Sequence, residues 1–259
     1  MCHLLANVCL TLYGLEIESV EDVGILINLS LPTVLNTFVD YQFCMLALSL
    51  KQRFTWLNED IEYGIGLLKC AKLKSFRPWS FDVSNGFLQD KVRYRLEQIR
   101  FRHFQLCTMC EHFNNIHSFR ILVTITQSFF TIVIIVVYAG RRTIVFKDIT
   151  SDYILYAYLQ ISLATFQICS LAIACSYTAS EAAKTGLLIH TLLYAQRKAK
   201  WKHELYFEII NLSIQVFRHR VVFYGGYLFP VNETLLFAVN YIGVAILIKK
   251  HYIFRFQVL

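Results

Sequence analysis

Two long stretches of the chain consist only of hydrophobic and uncharged polar residues. Residues 121–139 and 153–180 contain no Asp, Glu, Lys or Arg. Each stretch reaches the roughly 20 residues that a helix needs to cross about 30 Å of hydrocarbon. A soluble core rarely holds two uncharged segments of this length. The pattern therefore predicts a polytopic membrane protein built from helices.

Shorter or interrupted apolar stretches complete this helical pattern. Residues 23–50 contain one charged side chain, Asp40, and one proline, Pro32, which a membrane helix tolerates better than a soluble one. Residues 1–15 have the pattern of the last part of a membrane helix. We predict an all-α fold with a single transmembrane domain over 1–259. The predicted spans are a partial one over 1–15 and complete ones over 27–50, 119–139, 153–176 and 231–248.

Charge and amphipathicity distinguish the segments between the spans. Residues 51–118 and 177–220 are basic, and apolar positions recur at helical spacing in the second half of 51–118. We predict cytosolic helical regions here, the first continuing into the span near Phe119. Lys and Arg concentrate on the cytosolic side of membrane proteins, so the acidic segment 16–22 and the loop 141–152 lie outside. We expect a multi-pass protein of the cell membrane, in contact with lipid.

Composition and motifs argue against several other classes of protein. The net charge is +7, but Lys and Arg flank apolar runs instead of forming one basic stripe, so we expect no nucleic-acid partner. Nucleophile elbows, phosphate-binding loops and metal-spaced His pairs do not occur, so we expect neither an enzyme nor a cofactor. Cys107 and Cys110 form a lone CxxC close to His103 and His112. Without a second pair at zinc spacing, we expect free thiols there and no metal site.

The C-terminal part of the chain carries a set of weak motifs in a specific order. These are NLSIQVF at 211–217, FYGGYLFPVN at 223–232, LL at 235–236 and NY at 240–241. Together they resemble the C-terminal signature of insect gustatory receptors, in which Ser-x-Gln precedes an aromatic-x-Gly turn and a last helix. Earlier, QF at 42–43, RF at 53–54 and LN at 57–58 are similar to the family's fourth helix and its cytosolic exit.

The resemblance implies a fold and a function. It implies a partial seven-transmembrane chemoreceptor fold, and a cation channel that is gated by a small-molecule tastant. It also implies a homo- or hetero-tetramer around the last helices. The chain departs from the family pattern, because Asn240 replaces a Thr and Leu247-Ile248 replaces a Gln-Phe pair. The first two family helices and much of the third have no counterpart, so we expect an N-terminally truncated and diverged member.

Candidate ligand-binding residues lie in the spans. Asp40 is the one charged residue within the apolar runs 23–50, 121–139 and 153–180, and an intramembrane carboxylate is costly enough to suggest a functional site. The alternative is that it faces a water-filled vestibule or a Tyr hydroxyl without contacting a ligand. Aromatic side chains with a few polar groups suit a small organic ligand. The other candidates are Phe38, Phe130, Tyr156 and Gln160.

The last apolar helix is a candidate pore lining. The resemblance implies that it lies at the central axis of an oligomer. Asn240, Tyr241, Val244 and Ile248 are one, three and four residues apart, so most of them share one helical face. The alternative is that this face packs on neighbouring helices. Two other functions stay open, a polytopic membrane enzyme and a receptor fragment that does not conduct.

Overall fold

The computed structural model describes the backbone of residues 20–74, 82–145, 151–197, 203–235 and 237, and the side chains of 35–66, 90–136, 158–194, 203–235 and 237. Within these ranges the chain forms four helices and one short hairpin, and further helical residues follow the hairpin at 233–235 and 237. The helices are α1 (Val20–Lys74), α2 (Asp82–Val145), α3 (Ser151–Arg197) and α4 (His203–Arg218), and the strands are β1 (Tyr224–Gly225) and β2 (Phe229–Pro230). The predicted partial span over 1–15 lies outside the described residues, as do all four candidate pore residues.

Three of the helices are far longer than a membrane is thick. α1 has 55 residues, α2 has 64 and α3 has 47, whereas about 20 residues cross the hydrocarbon layer. The predicted spans over 27–50, 119–139 and 153–176 are therefore each only a part of a helix that continues without interruption into the neighbouring basic segment. α1 also continues through Pro32. The prediction of an all-α fold is confirmed, with the hairpin as the only sheet in the described part of the chain.

Two stretches of the described chain are long and apolar enough to cross a membrane. They lie within Asp90–Val136 and Tyr158–Tyr194, and only 28% and 33% of their most apolar windows are buried. The core helix of a soluble protein would be buried over a larger share, so lipid is the medium that these apolar surfaces suit. The large apolar side chains exposed in the predicted spans include Leu35, Tyr41, Val123, Ile134, Tyr158 and Phe166.

Two compact units divide the chain. Unit 1 comprises Met1–Met45, His117–Cys175 and Tyr224–Leu259, and unit 2 comprises Leu46–Ile116 and Ser176–Phe223. The division falls within a few residues of the predicted cytosolic span ends at 50, 119 and 176. Unit 1 thus holds most of the predicted spans, and unit 2 holds most of the basic segments.

Unit 2 has a core of its own, to which all four helices contribute. The fully buried side chains include Phe54 and Ile61 of α1, Ile189 and Leu192 of α3, and Leu212 of α4. Leu205, Ile209 and Leu212 recur at helical spacing along α4, so one of its faces packs into this core. The described parts of the basic segments therefore form a packed helical unit.

The hairpin lies within the motif at 223–232, at the position of the aromatic-x-Gly turn in the family signature. β1 pairs with β2 in an antiparallel register, Gly225 opposite Phe229. Gly226 and Tyr227 have φ values of 56° and 60°, and the Leu228 amide donates to the Gly225 carbonyl at 3.0 Å. Positive φ at both central residues is the mark of a type I′ turn, whose twist suits a hairpin.

Gly226 also makes a close backbone contact within unit 1. Its amide donates to the Ser118 carbonyl of α2 at 2.7 Å. A Cβ atom added at this position would lie 2.5 Å from Cδ2 of Leu122. Glycine is therefore required here for two reasons, the positive φ and the approach to α2.

Candidate functional site

Asp40 lies at the centre of a buried polar cluster in unit 1. Its side chain is 6% exposed, and it accepts hydrogen bonds from three side chains of two other helices. Arg120 Nε of α2 lies 3.5 Å from Oδ1, and Thr124 Oγ1 donates to the same oxygen at 3.3 Å. Gln167 Nε2 of α3 donates to Oδ2. The cluster therefore ties α1, α2 and α3 together through one carboxylate.

The cluster is built from helical spacing. Arg120, Thr124 and Ser128 are four residues apart on α2, so their side chains share one face. Ser128 Oγ donates to Oε1 of Gln167 at 3.3 Å, and the second terminal nitrogen of Arg120 donates to the Asn36 carbonyl at 3.1 Å. Arg120, Thr124, Ser128 and Gln167 thus each have a partner from another helix. This is what a site without bulk water requires.

An intramembrane charge is tolerated only when it is neutralised and hydrogen-bonded. Asp40 meets both conditions, because a guanidinium lies beside it and both of its oxygens accept hydrogen bonds. The partner differs from the two that the sequence analysis considered, a vestibule water and a Tyr hydroxyl. Arg120 directly precedes the uncharged run 121–139, and Gln167 is one of two glutamines in the run 153–180. Arg120 and Gln167 were therefore the two residues that the sequence could have indicated as partners of Asp40.

The other predicted ligand residues lie at different distances from this cluster along their helices. Gln160 is half-buried and lies seven residues before Gln167, so both occupy the same face of α3. The position of Tyr156 is in register with that face, eleven residues before Gln167. Asp40, Gln160 and Tyr156 are therefore compatible with one continuous surface in unit 1.

Phe38 and Phe130 lie elsewhere on their helices. Their side chains are 50% and 56% exposed. Phe38 is two residues before Asp40, which in a helix is a rotation of about 200°. Phe130 is likewise two residues after Ser128. The structure therefore does not bring these two rings to the polar cluster.

A second buried polar cluster lies in unit 2, around Asn58 of the LN motif at 57–58. The Asn58 amide nitrogen donates to the carbonyl and to Oε1 of Glu181, both at 2.9 Å. Its amide oxygen accepts from Oγ1 of Thr185 at 2.7 Å. Asn58 is fully buried. The motif residue thus joins α1 to α3 through a satisfied hydrogen-bond network.

The Gln of the Ser-x-Gln motif has a comparable role between α4 and α2. Gln215 Nε2 donates to the Arg100 carbonyl at 2.8 Å and lies 3.3 Å from Nδ1 of His103. His103 is buried outside the predicted spans, and this burial lowers the pKa of its imidazole to about 4. A neutral ring with an available lone pair is therefore the form that unit 2 holds.

Cys107 and Cys110 are buried free thiols in the same unit. Cys107 Sγ lies 3.5 Å from Nε2 of His103. Burial raises the pKa of each thiol to about 12, so neither becomes a thiolate near neutral pH. The contact therefore lacks the properties of a nucleophile and its base. Among the residues with described side chains, no three His, Cys, Asp or Glu groups meet as a metal site would need.

Comparison with known proteins identifies the kind of fold that carries these clusters. The model of a family described as 7tm Chemosensory receptor matches residues 1–240. The match includes α1 to α4 and the hairpin, and therefore both buried polar clusters. No curated protein matches the chain.

Proposed function

Because the chain belongs to the 7tm chemosensory receptor family, we propose that it is a gustatory receptor subunit and part of a tastant-gated cation channel. The family match over 240 of 259 residues is the observation that carries the proposal. Receptor and membrane character follow from the family and from the two membrane-capable helices. Taste as the modality, ion conduction and assembly into a tetramer are the further steps of the proposal.

The ligand site that we propose is the surface that runs along α3 from Gln167 past Gln160 to Tyr156, next to Asp40. In the proposed orientation this surface leads outward from the polar cluster. A ligand with hydrogen-bonding groups would compete for Gln167, whose amide already bridges Asp40 and Ser128. Binding would then change how strongly α1, α2 and α3 are tied together. Phe38 and Phe130 fit this site less well because both are exposed.

Replacement of Tyr156 and Gln160 tests the ligand site. Tyr156→Phe and Gln160→Leu should lower the ligand response of cells at unchanged surface expression. Phe38→Leu is the control, with an expected response close to that of the wild type. Equal loss of expression and response in the first two variants would assign them a structural role instead.

Assembly is supported by a second apolar stripe on α4. One face of this helix packs into unit 2 through Leu205, Ile209 and Leu212. The opposite face carries three exposed apolar side chains, Phe207, Ile214 and Phe217. We propose that unit 2 is cytosolic, where lipid tails do not cover such a stripe, so another subunit is the partner that fits it.

Two substitutions on this stripe test assembly. The double variant Phe207→Ser and Phe217→Ser should shift the protein in detergent from a tetramer to smaller species, because it removes apolar area from the interface only. Tyr94→Ser on α2 is the control, since Tyr94 is also exposed in unit 2. A tetramer that withstands the double variant would place the interface elsewhere.

The last apolar helix, with Asn240, Tyr241, Val244 and Ile248, is our proposed pore lining. Their spacing in the sequence predicts that most of these side chains share one helical face, with one amide, one phenol and two aliphatic groups, which would suit a constriction that gates by wetting. Cysteines at 244 and 248 should react with a water-soluble thiol reagent faster when an agonist is present. Full protection in both states of a responsive complex would exclude this helix from the pore.

Reconstitution of the purified chain in planar bilayers separates the proposal from its alternatives. Ligand-dependent cation currents support a channel subunit. Currents that need a second receptor subunit support a hetero-oligomer. Turnover of a lipid without current would favour the membrane enzyme, and absence of both, alone and with other subunits, would favour a non-conducting fragment. The burial of Cys107 and Cys110 argues against these two thiols as nucleophiles of such an enzyme.

A further inference from the structure

Two rows of exposed or half-buried side chains follow α1 and α2 where these helices lie side by side in unit 2. The α1 row consists of Arg53, Trp56, Asp60 and Tyr63, and the α2 row of Lys91, Arg95, Gln98, Arg102, Gln105 and Met109. Successive members of each row are three or four residues apart, so each row occupies one face of its helix. Arg102 pairs with Asp60 at 3.0 Å, and the Arg95 guanidinium lies 4.9 Å from the centre of the Tyr63 ring. The two rows therefore form one surface, which we call the basic seam.

The basic seam carries an excess of positive charge. It has four basic side chains, Arg53, Lys91, Arg95 and Arg102, and one acidic side chain, Asp60. In the part of the chain whose side chains are described, Asp60 is the one carboxylate that forms an ion pair with any of the four. Arg102 uses a single N–H group for this pair, so it has further donors available. The seam is therefore complementary to a partner with several carboxylates.

An open pocket of about 300 Å³ lies within the basic seam. Its lining includes the buried Leu57 and Leu106, the exposed Trp56 and Met109, and the arginines 53 and 102. Trp56 is 58% exposed and Met109 is 46% exposed. An indole and a thioether both make favourable contacts with aromatic rings. The volume is at the lower end for pockets that hold organic groups, so it suits one aromatic side chain.

The length of the basic seam indicates the kind of partner. Lys91 and Met109 are 18 residues apart, which is about 27 Å along the axis of α2. The pocket lies at the Met109 end of the seam, and Lys91 and Arg95 lie toward the other end. An extended peptide segment of about eight residues covers this distance. A small molecule would contact the pocket alone, whereas a segment of this length contacts the pocket and all four basic side chains.

We propose that the basic seam binds an acidic segment of a cytosolic protein, anchored by one aromatic side chain in the pocket. Trp56 and Met109 contact the aromatic ring, and the basic side chains from Arg53 to Lys91 along the seam contact the carboxylates. The cytosolic source of the partner rests on the proposed orientation of the receptor. Binding of the segment needs neither an agonist nor a current, so it stands or fails separately from channel activity.

Fluorescence anisotropy with a labelled peptide tests the charge of the basic seam. The probe is a peptide of about ten residues, long enough to cover the seam, with one Phe followed by alternating Glu and Ser. It is titrated with the full chain in nanodiscs of phosphatidylcholine. Arg53→Gln and Lys91→Gln should each weaken binding about threefold, as the loss of an exposed ion pair would. Because the two residues lie at opposite ends of the seam, the double variant should bind about tenfold more weakly. Arg218→Gln, on α4 outside the seam, should leave the affinity unchanged.

A second peptide, with Ser in place of Phe, tests the pocket. Trp56→Ala should weaken binding of the Phe peptide about fivefold and leave binding of the Ser peptide unchanged. Equal affinity of both peptides for the wild type would overturn the aromatic anchor. The proposal as a whole fails if the wild type does not bind the Phe peptide, or if the double variant binds it as well as the wild type at an equal melting temperature. Tighter binding of a single-stranded RNA of equal charge, with the same losses in the variants, would assign the seam to a nucleic acid instead.

Discussion

Removal of Arg120 is the sharpest test of the buried cluster in unit 1. Arg120→Gln leaves the Asp40 carboxylate with two neutral donors, Thr124 and Gln167. At an effective dielectric constant of about 20, unit charges at the observed 3.5 Å attract by roughly 5 kcal/mol. Because the Arg120 side chain is 31% exposed, water replaces part of this attraction. We expect the free energy of unfolding to fall by about 3 kcal/mol, which is the lower end of the range for a buried ion pair that loses one partner.

The companion variant Asp40→Asn should lower the free energy of unfolding by less than Arg120→Gln does. It keeps the shape of the side chain, and Arg120 retains its bond to the Asn36 carbonyl at 3.1 Å and its partial contact with solvent. We expect a loss of about 1–2 kcal/mol. The double variant removes both charges, so its loss should fall short of the sum of the single losses by about 2 kcal/mol.

The assay is the free energy of unfolding in mixed detergent micelles, measured for the four members of this cycle. Arg93→Gln is a matched control, since Arg93 forms a shorter ion pair with Glu204, at 2.8 Å, in which both side chains are exposed. The free energy of unfolding of Arg93→Gln should fall by less than about 1 kcal/mol. The reasoning fails if Arg120→Gln costs no more than this control, or if the two changes in the cycle are additive.

Three further variants test the packing of both units. Gly226→Ala should destabilise the protein by at least about 1–2 kcal/mol, from the positive φ alone. Gly64→Ala, where nothing lies within 4 Å of the added Cβ, should instead stabilise it by about 0.5–1 kcal/mol; equal thermal shifts of the two variants would contradict both the backbone strain and the close contact at Gly226. Asn58→Ala should cost about 1–3 kcal/mol, because its buried partners lose their hydrogen bonds; a neutral effect on the melting temperature would refute this. Since the pKa of His103 is lowered to about 4 in the folded state, unfolding binds a proton below pH 6.5, and stability should fall by about 2 kcal/mol between pH 7 and 5. In His103→Asn this pH dependence should be smaller by that amount.

The sequence alone determined the class of the protein. Uncharged runs at 121–139 and 153–180 predict membrane helices because length and lack of charge suffice to make insertion favourable. The family resemblance of the motifs between 211 and 241 is confirmed by the family match. Several motif residues prove to hold helices together, among them Asn58 and Gln215. The motifs identified these side chains as important. Their hydrogen-bond partners, however, lie on other helices and became known only from the packed structure.

The tertiary structure decided which polar groups meet. Asp40 contacts Arg120, 80 residues later, and Gln167, 127 residues later, and no local pattern specifies such pairings. In a soluble helix the apolar stripe identifies the buried face. Lipid tails are as apolar as the protein interior, so hydrophobicity does not identify the buried face of a membrane helix. The sequence therefore could not distinguish whether Phe38 and Phe130 face lipid or a pocket. The polar cluster and the close approach of Gly226 to α2 were therefore visible only in the packed structure.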